Sequence, residues 1–80
     1  MAARRFSGQL LRAHRTRIGM SREGLADRVH RSLWTVVCWE KGRTTPSVTM
    51  CAQVADVLGV GVDDLLVITD DDPRGVVVDR

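Results

Sequence analysis

Two short helical segments, Ser21 to Val29 and Leu33 to Lys41, are separated by a three-residue turn, and this spacing most narrows the folds open to the chain. Ser21 and Ser32 each stand where a hydroxyl can accept a free backbone N–H of a first helical turn. Gly42 stands where a helix ends in left-handed backbone. Leu25, Ala26 and Val29 give the first segment an apolar stripe at helical spacing, and Val36 and Trp39 do the same for the second. The two stripes can meet only if the helices cross steeply, and the small Ala26 leaves room for close approach. Trp39 is therefore read as core.

Helical signals continue on both sides. Leu10, Leu11, His14 and Ile18 predict a helix between Ser7 and Ile18, stopped by Gly19. Pro46 forbids continuation of the second segment, and Ser47 caps a helix whose stripe is Val48, Cys51, Val54, Ala55 and Leu58, closed by Gly59. Val62, Leu65 and Leu66, with Asp63 and Asp64 in the first turn, predict a short fifth helix. The expectation is an all-α bundle of five helices over residues 7–67, with a basic N-terminal arm over 1–6 and an acidic, valine-bearing tail over 68–80. Thr69 to Gly75 has the charge, proline and glycine of unpacked chain, and Val76 to Val78 reads either as a frayed end or as a strand that pairs at an edge.

Eighty residues suffice for one modest core. Cys38 and Cys51 have no second pair and no clustered histidines beside them, so they read as two reduced structural thiols. His14 and His30 stand at no metal-ligand spacing and read as a packing residue and a turn residue. No metal or cofactor is expected, and no local signature of nucleophilic or acid–base catalysis suggests an enzyme. No apolar run approaches the roughly 20 residues of a membrane span or resembles a secretory leader, so a cytoplasmic protein is expected.

The charge is asymmetric. Residues 1–43 hold ten Lys and Arg against three acids, a net +7, whereas residues 44–80 hold two against seven, a net −5. A basic half beside an acidic half suits a surface that binds a polyanion on one side only.

Gly19-Met20-Ser21, Leu25-Ala26-Asp27-Arg28-Val29, Ser32, Val36, Trp39-Glu40-Lys41-Gly42 and Pro46-Ser47 resemble the DNA-binding domain of the lambda-repressor, Cro and Xre family. The likeness continues through Val54-Ala55, Leu58-Gly59-Val60 and Val62-Asp63-Asp64-Leu65, covering roughly residues 8–67 without a gap. It implies a helix-turn-helix whose second helix, residues 33–41, enters the major groove of double-stranded DNA. It also implies an ion pair between Arg15 and Glu40. Three positions depart from the family pattern. His30 stands where glycine serves a left-handed turn, Gly24 replaces the glutamate of a capping box with Ser21, and Arg31 replaces a small apolar residue.

By the resemblance, Leu33, Trp34, Val37 and Cys38 approach base edges, and Arg22 reaches a phosphate or a guanine. Ser21, Arg31, Lys41, Arg43 and Thr44 are placed at phosphates. The outward face of this helix holds no Arg, Lys, Asn or Gln in its first two turns, so apolar contact with thymine methyls is the readout open to it. The functional expectation is a small bacterial or phage-type regulator, a repressor acting as a homodimer on a palindrome. An apolar patch containing tryptophan also suits a protein partner, so an adapter using the Trp34 face, or the antitoxin of a toxin pair, is the alternative.

Overall fold

A computed structural model describes residues 3–69 of the chain. In order these form β1 (Ala3–Phe6), α1 (Gly8–Arg17), α2 (Arg22–Arg28), α3 (Leu33–Lys41), α4 (Val48–Leu58), a single 3-10 turn (Val62–Leu65) and β2 (Leu66–Thr69). The Val76 to Val78 segment lies outside the described residues. Among the described residues no helix is long and apolar enough to cross a membrane.

Each α-helix begins on a serine. Ser7, Ser21, Ser32 and Ser47 accept the amides of Leu10, Gly24, Thr35 and Met50 at 3.2, 2.9, 3.1 and 3.1 Å, satisfying one orphan donor per helix. Gly42 and Gly59 close α3 and α4 in left-handed backbone, as their positions predict.

Among the described residues the architecture is four α-helices and a two-stranded sheet, which corrects the expected fifth helix over Val62 to Leu66. Only Val62–Leu65 turns, as a 3-10 segment with Asp64 Oδ2 accepting the Gly61 amide at 2.9 Å. Leu66 then leaves it in extended backbone, because Val67, Ile68 and Thr69 are β-branched and find a partner. That partner is the N-terminal arm: Ala3, Arg4, Arg5 and Phe6 pair antiparallel with Thr69, Ile68, Val67 and Leu66. The stretch read as a basic arm is thus ordered over Ala3–Phe6, and Ile68 and Thr69, read as the start of the tail, belong to the sheet.

The core gathers Leu11, Leu25, Val29, Val36, Val54 and Leu65, all fully buried, around Trp39, with Phe6 of β1 packed against them. Members of the expected stripes fall outside it, Ile18 and Val48 among them. Ile18 is the C-cap of α1 and stands half exposed, and Val48, the first residue of α4, is almost fully exposed. Both lie at helix ends, where a stripe overruns the surface that covers its middle. Met50 is buried instead.

His30 has φ 58° and is the one non-glycine residue with positive φ among the described residues. Left-handed backbone costs an L-residue about 1–2 kcal/mol, whereas glycine loses about 0.5–1 kcal/mol more chain entropy on folding. The His30 side chain is exposed, so its removal forfeits little packing. His30→Gly is expected to stabilise the domain by up to about 1 kcal/mol, raising its melting temperature by a few degrees. Thermal denaturation of the pair checks this, and an unchanged or lower melting temperature would refute it.

Candidate nucleic-acid interface

The turn between α2 and α3 is fixed by its own backbone. The Arg31 amide reaches back to the Ala26 carbonyl at 2.9 Å and that of His30 to Asp27 at 3.3 Å. Ser32 then starts α3, whose Val36 and Trp39 are buried against the core. The opposite side of α3 meets solvent: Leu33 is 43% exposed and Trp34 61%, with Thr35 and Val37 half-buried beside them. Thr35 Oγ1 is bonded to Ser32 Oγ at 2.9 Å.

Cys38, expected on the base-facing side, is 7% exposed and leaves that surface. The chain beyond α3 folds back over this turn, with the Arg43 amide on the Cys38 carbonyl at 2.9 Å. The same fold-back brings the Arg43 guanidinium over the Trp34 ring, 5.7 Å from its centroid, a cation–π approach. Cys38 and Cys51 are both buried free thiols, and burial raises the Cys51 thiol above its ordinary range.

Arg15 and Glu40 form an ion pair. Arg15 Nε donates to Glu40 Oε2 at 2.6 Å and Nη2 to Oε1 at 3.2 Å, while Nη1 donates to the Met20 carbonyl at 2.7 Å. The two side chains are only 8% and 2% exposed. Arg22, placed at DNA by sequence reasoning, turns to the same carboxylate: its Nε donates to Glu40 Oε1 at 3.0 Å, with the side chain 38% exposed. Burial alone would raise the Glu40 carboxyl, but the hydrogen bonds and charges of Arg15 and then Arg22 outweigh it and hold the group below its ordinary 4.5. One carboxylate therefore ties α1, α2 and α3 together.

The residues placed at phosphates divide in two. Ser21 spends its hydroxyl oxygen on the Gly24 amide as the cap of α2. Arg31, Lys41, Arg43 and Thr44 are exposed before, at the end of and after α3, and Arg31 Nη1 donates to the His30 carbonyl at 3.2 Å. The sheet adds two further cations on this side, since Arg4, Arg5, Gly42, Thr44 and Thr45 line one open concavity of about 570 Å³. Arg4 is bonded there to Asp63 at 3.0 Å.

Sequence reasoning missed Gly8. A β-carbon on it would collide with the Trp39 carbonyl oxygen and lie 2.5 Å from that of Glu40. The N-terminus of α1 thus rests directly on the backbone of the last turn of α3. The available signal was a glycine, a poor helix former, immediately after the capping Ser7.

Residues 8–66 match the family model described as a helix-turn-helix domain. A protein of Methanothermobacter thermautotrophicus, described as an uncharacterized HTH-type transcriptional regulator, is 35% identical over 63 residues, covering 78% of this chain and 91% of its own. Among solved structures, the clp gene regulator ClgR of Corynebacterium glutamicum superposes with a TM-score of 0.70 at 31% identity, over 72% of this chain and 62% of that one. SinR, a master regulator for biofilm formation solved in complex with DNA, gives 0.68 at 29% identity over 72% and 97%. The hydroxypropylphosphonic acid epoxidase of S. wedmorenis gives 0.73 at 28% identity over 89% of this chain, but only 38% of that enzyme, so the likeness concerns one part of it.

Proposed function

The chain belongs to the helix-turn-helix domain family, of the Xre and lambda-repressor type, and on that premise we propose that it regulates transcription by laying α3 in the major groove of double-stranded DNA. The observation that carries this reading is the exposed side of α3: a surface without acids, bordered by Arg31, Lys41, Arg43 and Thr44, on a helix whose other side is locked into the core. Phosphates on either side of the groove are contacted by those four residues, and Leu33, Trp34 and Val37 face base edges. Arg22 keeps its two terminal nitrogens for a phosphate while its Nε holds Glu40. A single half-site of a few base pairs gives weak specificity, so the protein acts as a homodimer on a palindrome, in the cytoplasm, as a repressor.

Duplexes selected from a random pool and titrated at several salt concentrations test this. The logarithm of affinity should fall linearly with that of salt, by about 0.9 per phosphate neutralised, and Lys41→Ala or Arg43→Ala should each lower the slope by about 1. Sedimentation should show two chains per selected duplex. If no duplex is bound in a salt-dependent way, the reading fails, and a protein captured through Trp34 would replace it.

A further inference from the structure

Resting on that reading, we propose that the base-specific part of recognition is the C5-methyl group of pyrimidines, thymine and 5-methylcytosine, read by Leu33 and Trp34 rather than by hydrogen-bonding side chains. The polar groups beside the patch are held in part by the protein itself, and those left over are assigned to phosphates. Arg22 Nε is held by Glu40 and Arg31 Nη1 by the His30 carbonyl. The Thr35 hydroxyl is bonded to Ser32, and Cys38 is buried. What α3 presents freely in its first turn is the isobutyl group of Leu33 and the indole of Trp34. The major groove offers one apolar feature to such a surface, the methyl at pyrimidine C5, and presents it on thymine and 5-methylcytosine alike.

The charge around the patch selects this occupant. The Arg43 guanidinium lies over the Trp34 ring, so a fixed cation sits on the apolar surface itself. A neutral apolar partner would leave that cation, and those of Arg31 and Lys41 around the patch, unmatched. A DNA groove instead supplies methyl groups at its floor and phosphates at its walls, within the reach of one Trp–Arg unit. Stacking also limits the freedom of the indole before binding, which favours shape recognition of a methyl over its absence.

The test uses the full chain and a duplex recovered by selection. Replacing each thymine by deoxyuridine deletes the methyl and leaves the hydrogen-bonding edges unchanged. Affinity should fall about fourfold for each contacted methyl, and more than tenfold where two are contacted. Placing 5-methylcytosine where an unmethylated cytosine occupies a contacted position should restore a similar factor. In Leu33→Ala and Trp34→Ala, both exposed positions that leave the core intact, the thymine-to-uracil ratio should shrink towards one. A loss caused by altered DNA flexibility would persist in those variants and overturn the assignment. Salt-dependent binding that is indifferent to uracil overturns the methyl readout alone, whereas absence of binding to every selected duplex removes the DNA reading with it.

Discussion

Glu40→Gln is expected to lower the stability of this domain by about 3–5 kcal/mol at neutral pH, the loss typical of breaking a buried ion pair from one side. A small domain of this kind holds about 4–12 kcal/mol in total, so the variant should melt far below the parent. Glutamine fills the same space, so the deficit is electrostatic. The Arg15 guanidinium stays buried with one neutral oxygen to share with Arg22. The effect has a pH signature of known sign. The folded carboxyl lies below its ordinary 4.5, so its contribution is fully present above that value and is lost as pH falls through the lower, folded one. Other carboxylates titrate equally in both proteins, so the difference between parent and variant should be constant above the ordinary carboxylate range and narrow as pH falls through the lowered, folded value of Glu40. Urea denaturation across that range reads it directly. Equal stability at neutral pH, or a gap that survives acid unchanged, would contradict the role assigned to Glu40.

The second large effect is expected from the smallest change. Gly8→Ala adds one methyl group in the path of the Trp39 and Glu40 carbonyl oxygens, both backbone atoms in the closing turn of α3. Over-packing costs about 1–3 kcal/mol where side chains can adjust, and here no side chain is available to move, so a loss of about 3 kcal/mol is expected. Alanine is otherwise the better helix former, so local propensity predicts the opposite sign. Gly61→Ala makes the same chemical change where the nearest atom is Asp64 Oδ2 at 3.6 Å, and it should be close to neutral. Chemical denaturation of the three proteins separates contact from propensity, and a neutral or stabilised Gly8→Ala would show that α1 does not depend on that approach.

These two positions mark where sequence reasoning reached and where it stopped. The limits of α3 and α4 were legible because each is written locally, in a serine that caps and a glycine that ends. The Arg15–Glu40 pair was legible only through resemblance, and the competing claim of Arg22 on the same carboxylate was not, since it depends on how α2 lies across α3. The burial of Cys38 was not legible, because one helical step is about 100° and the sequence does not show where on that step the covered side of α3 begins. The sheet was illegible for a different reason: Arg5 and Val67 each need a partner at the other end of the chain, which no local window contains. Gly8 shows the same limit from the other side, as its neighbours are carbonyls more than thirty positions away.

The sheet also determines how the molecule would respond to being pulled. Ala3 and Thr69 face each other at the outer rung of an antiparallel ladder, with Phe6 and Leu66 at the inner one. Tension between Ala3 and Thr69 acts along the hydrogen bonds, perpendicular to the strands, so the rungs open one after another and each carries the whole load in turn. The clasp yields gently, and the helices beneath it, bound through Glu40 and the packing of Trp39, are left to fail together.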